Sequence, residues 1–394
     1  MSSLSSTARA LPTIQRPWLL LALAIALGLA VFLFAQETKR GLLFLIGLGL
    51  GFSLYHAAFG FTSAYRRAWV EKDSSGVIAQ LIMLALAMLL FAPILQQGQV
   101  FGSGVSGALA PVSLSMALGA FAFGVGMQLA GGCASGTLFS AGGGNLRMAL
   151  ALIFFCVGSF WGSLDLIWWQ TQFPGIGVVS LPQKFGWGIA LPLQLAMLLA
   201  IYLVLRLYGA RAVQPLWWDR AQGFTWRSLL RGPWPFLLAA ASLALLNWAT
   251  LLVAGHPWSI TWAFSLWAAK VAAVLGWDPA SSLFWRGGFQ QTALARSILA
   301  DTTSIMNIAL IVGALTAASL AGKVKPNPRI PLRAILSAIL GGLIMGYGAR
   351  LAYGCNIGAL FSGIASGSLH GWVWLVAALP GNWLGLRLRP YFTA

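Results

Sequence analysis

Long unbroken apolar runs dominate this chain, in place of the alternating or one-sided patterns of water-soluble strands and helices. Runs near 20 residues match the length of helix that crosses a bilayer's hydrocarbon. They predict helices at about 17–35, 41–59, 77–95, 112–128, 148–169, 186–208, 234–254, 260–276, 305–321, 332–350 and 371–388. Two stretches break the pattern. Residues 129–146 and 351–370 are rich in Gly and Ser yet uncharged apart from what borders them. Such backbone is too polar to face lipid and too apolar for an aqueous loop, so at membrane depth it belongs inside protein or beside a water-filled cavity. The predicted class is an all-α polytopic membrane protein with re-entrant or broken helices.

Composition agrees with this class. Of 394 residues, 59% are hydrophobic and 8% charged, which excludes a soluble enzyme, a secreted disulfide scaffold and a disordered chain. The formal net charge of +17 reads as basic cytoplasmic loops, with no need for a nucleic-acid partner. The loop Arg206–Arg231 holds five Arg and one Asp, Lys323–Arg333 holds four basic residues and no acid, and Arg387 and Arg389 sit at the C-terminus. These are predicted to face the cytoplasm. The uncharged stretch between Asp73 and Arg147, and the loops at 170–185 and 255–259, face the other side. Lys39 and Arg40 run against the scheme. The first apolar run follows a Ser-rich stretch with Arg9 and Arg16, as a signal peptide does, but its 19 residues and the lack of an A-x-A site predict a retained span. The expected divisions are an N-terminal segment with the first span (1–36), a first unit (41–208), an Arg-rich loop (209–233) and a second unit (234–394).

An internal comparison carries the most information. Gly124–Ser140 reads GVGMQLAGGCASGTLFS and Gly346–Ser362 reads GYGARLAYGCNIGALFS, shifted by 222, with ten of 17 positions identical. The chain is predicted to hold two copies of one unit. A weaker echo sets AFGFTSAYRRAW from Ala58 against RGGFQQTALARS from Arg286, pairing Phe61 with Phe289 and Asp73 with Asp301. The charge map inserts the two copies oppositely, giving an inverted repeat of the kind that places a permeant site near the midplane.

Each copy brings one thiol, Cys133 or Cys355, in the spacing G-C-x-x-G. A reversal there is cheap only for Gly, and the helix following each Cys aims unpaired N–H groups inward, where an anion can sit. Gly132 with Gly136, and Gly354 with Gly358, equally satisfy the GxxxG pattern of plain helix packing. Both readings stay open at this point. Cys156, in the run ALIFFCVGSF, reads as a small hydrophobe. No CxxC pair, no metal-ligand spacing around His56, His256 and His370, and no phosphate-binding loop with its Lys are present, so neither a metal nor a cofactor is expected. His256 and His370 read as solvated surface, while His56 lies beside the break at Gly60. Arg147 and Lys270 read as helix anchors, and Arg350 stands five residues before Cys355. Asp73 and Asp301 read as helix caps, and the Trp pairs at 168/169, 217/218 and 372/374 as interface belts.

At these motifs the sequence resembles the YeeE/YedE family of bacterial inner-membrane proteins, whose characterised members take up thiosulfate. The resemblance rests on GMQLAGGCASGTLFS and GARLAYGCNIGALFS, and more loosely on FGFTSAYRRAW and GGFQQTALAR. It implies an hourglass of opposed loops and short helices, with cysteines at its waist passing the anion by S–H hydrogen bonding, and a permease in place of an enzyme. Carried over, it implicates Cys133 and Cys355; with their flanking glycines Gly132, Gly354, Gly136 and Gly358, and with Gly60, Gln290 and Asn356, these make up the expected permeation site. A further family cysteine falls where AFGFT has Gly60, which leaves room for another sulfur or selenium species. The resemblance also implies a cytoplasmic sulfur carrier of the TusA type as partner. The alternative from another class is a membrane thiol oxidoreductase.

Overall fold

The computed structural model describes residues 13–218 and 224–393; the Ser-rich stretch with Arg9, and Asp219 and Arg220 of the basic loop, lie outside the described residues. The helices that matter here are α1 (Arg16–Gln36), α2 (Thr38–Ala57), α3 (Phe61–Val70), α4 (Ser75–Gln97), α5 (Leu114–Ala130), α6 (Ala134–Gly142) and α7 (Leu146–Gln172). After the Arg-rich region's flanking helix α8 (Trp187–Leu207) come α9 (Phe236–Ala254), α10 (Thr261–Val274), α11 (Gly288–Ala295), α12 (Thr302–Leu320) and α13 (Leu332–Leu351). A π-helix follows at Asn356–Ser362, continued by one turn at Gly363–Ala365, and α14 (Leu369–Leu388) ends the bundle. Strand structure among the described residues is confined to a small hairpin, Gln99–Val100 with Ser103–Gly104, and isolated bridges.

All eleven predicted helices are present, most with ends within two or three residues of those read from the apolar runs. Nine candidate spans among the described residues are long and apolar enough to cross a membrane, so the protein is an all-α, multi-pass membrane protein. α10, with 14 residues, is shorter.

Packing comes in matched pairs. α13 lies along α7 and α14 lies along α5, while α5 and α13 also pack on each other. α2 packs on α12 as α9 packs on α4, and α1 and α8 lie outermost, on α12 and α4 respectively. The close fit is made by glycines. A methyl group at Gly126 would stand 2.6 Å from the Met345 amide nitrogen and 2.7 Å from the Gly341 carbonyl; one at Gly119 would stand 2.8 Å from the Gly348 carbonyl. At these crossings α5 and α13 are in backbone contact, which is how membrane helices gain association energy without a hydrophobic drive. Gln128, fully buried on α5, donates to Asn382 Oδ1 at 2.9 Å and to the Thr62 carbonyl at 3.2 Å, linking α14 and α3 to the same seam.

Several expectations are corrected. His370 is 2% exposed and bonds the Ala352 carbonyl, and Trp372 and Trp374 are buried, so the start of α14 is core and not an interface. Phe61 is buried and Phe289 is 63% exposed, so the two aromatic residues set against each other by the weaker echo lie in different surroundings. Asp301 caps α12 through the Ser304 amide, but Asp73 stands one residue before the cap of α4. Its carboxylate accepts from the Ser75 hydroxyl and amide and from the Val213 amide, stitching the α3–α4 turn to the segment after α8.

Two predictions follow from this packing. Gly126→Ala should lower the melting temperature in detergent by several degrees, whereas Gly28→Ala, with nothing within 4 Å of the added carbon, should leave it unchanged or raise it. For Asp73, burial opposes ionisation, but the bonds from Ser75 and Val213 outweigh it and hold the carboxyl below its ordinary value. A depressed carboxyl stabilises the fold above the unfolded pKa, near 4, and that contribution fades as pH falls through the folded value. Asp73→Ala should therefore cost about 1–3 kcal/mol at pH 7, and the gap from the parent should narrow in unfolding measured toward pH 3.

Candidate functional site

The two Gly-Cys stretches fold in the same way. α5 ends where Gly131, at φ +84°, takes the left-handed turn that caps its C-terminus. Tyr353 occupies the matching place after α13 and takes the same turn at φ +55°, a conformation that costs a side-chain-bearing residue roughly 1–2 kcal/mol. Its phenol is held by Gln170 and its ring packs edge-on against His370. Extended backbone follows, and each cysteine then becomes the N-cap of the next helix: Cys133 at φ −83°, ψ −173° before α6, Cys355 at φ −113°, ψ −167° before the π-helix.

Both sulfurs are closed to solvent, Cys133 at 0% and Cys355 at 1% exposure. Cys133 Sγ lies 3.4 Å from Ser135 Oγ, and Cys355 Sγ accepts the Ile357 amide at 3.4 Å. Cys355 is thus a weak cap and Cys133 accepts no amide of α6, in contrast to Ser113 and Asn145, whose oxygens cap α5 and α7. α6 packs against the π-helix, so the two elements that begin at the thiols are in contact. The second element is wound more widely than the first: the Leu360 amide reaches back five residues to the Cys355 carbonyl at 3.3 Å. Wide π turns of this sort are rare and cluster at functional positions.

The neighbouring glycines leave room for these caps. A methyl group at Gly136 would stand 3.4 Å from Cys133 Sγ, one at Gly132 3.3 Å from Met148 Sδ, one at Gly358 3.3 Å from Ser259 Oγ, and one at Gly354 2.7 Å from the Ala359 amide. Asn356 follows Cys355 directly and is 1% exposed. Gly60 is the N-cap of α3, with Ser63 and Ala58 as its nearest neighbours, and Gln290 sits half-buried on the short helix α11, which packs on α10. Arg350 lies over the Phe284 ring at 5.3 Å.

Sequence reasoning missed two features. Tyr65, buried on α3, brings its phenol beside both Cys133 and the Asn356 amide; one polar group in an apolar face was the only signal for it. The second is a cavity of about 470 Å³ lined by Arg147, Lys323, Lys325 and Arg329 with no acidic side chain. Ser140 and Gly143, toward the far end of α6 from Cys133, also line it, so a rise of seven residues, about 10 Å, separates the lining Ser140 from Cys133.

Comparison with known proteins gives the same direction. The pattern of a family described as Sulphur transport matches residues 56–384. A protein named thiosulfate transporter TsuA from Spirochaeta thermophila is 27% identical over 363 residues, covering 86% of this chain and 96% of that protein. The TsuA of Escherichia coli K12 is 23% identical over 86% of this chain and 91% of that protein. A probable transporter, YedE of Escherichia coli K12, is 35% identical over 170 residues, 42% of this chain. That match spans 40% of the length of YedE.

Proposed function

This chain belongs to the sulphur transport family, and from that premise we propose that it is a permease taking up a thiosulfate-like anion through the constriction at Cys133 and Cys355. The observation that carries the reading is the pair of thiols, each placed as the cap of a buried helix in loops that pack on one another. A divalent anion entering a low-dielectric interior needs compensation for several kcal/mol of lost hydration per charge. The N-termini of α6 and the π-helix supply N–H donors and the positive ends of their dipoles at that point. A fixed cation there would hold the anion too firmly, since conduction needs binding weak enough to release. Thiols are weak donors with a soft sulfur, matched to a soft terminal sulfur on the permeant.

The matched packing supports reading the two halves as inverted repeats that form an hourglass, with C-terminus and basic loops in the cytoplasm of a bacterial inner membrane. The basic cavity then gathers the anion on the cytoplasmic side, where a sulfur carrier of the TusA type would receive it. With both sulfurs closed to solvent, passage requires the two loops to part. The chemistry asked of the cysteines is hydrogen bonding, with no change in their oxidation state and no enzymatic turnover.

In proteoliposomes loaded with labelled thiosulfate outside, Cys133→Ala and Cys355→Ala should each cut uptake at least tenfold while inserting normally, and Cys156→Ala should match the parent. Parental rates in both variants would overturn the proposal, as would a disulfide or persulfide accumulating during uptake by the parent. Replacing Lys323 and Lys325 together by Gln should raise several-fold the concentration of thiosulfate on the cytoplasmic face that gives half-maximal efflux at about 20 mM salt, and much less at about 0.5 M, where screening shortens the reach of the field.

A further inference from the structure

Asn356 is the polar anomaly of the site. The repeat puts Ala134 at the same step after Cys133, so an apolar residue satisfies the turn in the other copy. Asn356 is 1% exposed, and neither its amide nitrogen nor its amide oxygen makes a hydrogen bond within the protein. A buried amide left unpaired at both ends costs far more than the alanine that the fold would accept there. Buried polar groups without partners in a native interior call for a missing occupant or a functional reason.

The surroundings indicate the occupant. The Tyr65 phenol comes near this amide and Cys133 without meeting hydrogen-bond geometry at Asn356, and Cys355 is the preceding residue. The helix that begins after Cys133 packs on the π-helix that begins at this amide, so soft thiols and hard donors sit at the starts of elements in contact. A thiosulfate-type anion has the same division: one soft terminal sulfur and three hard oxygens on the central sulfur.

We propose that Asn356, assisted by Tyr65, is the oxygen-reading half of the constriction: its N–H groups and the phenol O–H donate to the permeant's sulfonate oxygens while the thiols engage the terminal sulfur. This rests on the permease reading above. It assigns the substrate class as anions carrying both a soft sulfur and sulfonate-type oxygens. Sulfate satisfies the amide and phenol alone, and hydrosulfide the thiols alone. A site built to hydrogen-bond a group discriminates strongly against ligands that leave its donors unpaired.

The test is thiosulfate uptake by proteoliposomes of the full chain, with melting temperature measured on the same preparations. Asn356→Leu removes the unpaired amide at similar volume, and Asn356→Ala adopts the other copy's solution, so at least one should fold as well as the parent. Both should raise the KM for thiosulfate at least tenfold with unchanged or higher melting temperature. Tyr65→Phe should raise KM several-fold, and excess sulfate should compete weakly with the parent and not at all with Asn356→Leu. A purely structural asparagine would lower the melting temperature and leave KM alone. That result, or parental KM in both Asn356 variants, overturns the inference while leaving the permease intact. Absence of thiosulfate uptake by the parent itself overturns the underlying reading instead.

Discussion

Everything in this protein depends on how backbone that leaves the helical ladder inside a membrane finds partners. Two helices, α5 and α13, end at buried turns, where the groups released at their ends are closed off from water. The left-handed turns at Gly131 and Tyr353 satisfy the carbonyl ends, and α6 and the π-helix restart the ladder within three residues. What remains are the first amides of those restarted helices. Ser113, Asn145 and Asp301 cap α5, α7 and α12 with oxygen acceptors. At the two restarted helices the N-cap residue is cysteine: Cys355 accepts one amide weakly and Cys133 accepts none.

Holding two such loops face to face requires a rigid frame, and the frame is made of backbone contacts. The glycines along α5 and α13 bring these helices together, while α7 and α14 close against them from the two sides. α6 is backed by α12, and the turn at Gly363–Ala365 is backed by α4. The far end of the π-helix is fixed as well, by Ser362 donating to the Trp258 carbonyl and accepting from Asn247. Rigid supports around two lightly capped ends give a site in which the unsatisfied groups are few and localised.

Much of this was legible in the sequence because its signals are simple ones. Hydropathy found the helices, since an uncharged 20-residue run at this composition has one structural outcome. The repeated Gly-Cys motif found both interruptions and both thiols. What hydropathy does not register is which side of a helix faces protein, and so His370, Trp372 and Trp374 read as surface yet lie in the core. The echo that set Phe61 against Phe289 carries no information on burial, and the two residues lie in different surroundings. The unpaired state of Asn356 was invisible for a different reason: it is a property of what surrounds the amide, and the surroundings come from α3, which is distant in sequence. The π winding after Cys355 likewise has no marker in a segment whose letters nearly repeat those of α6.

The central claim is that one anion meets both thiols at a common place. Single-cysteine forms retaining Cys133 or Cys355 alone, reacted in membrane vesicles with a small neutral alkylating reagent, test it directly. The account predicts that thiosulfate slows alkylation of both cysteines with the same half-maximal concentration. Protection of one thiol only, or alkylation of both at rates indifferent to thiosulfate, would contradict it.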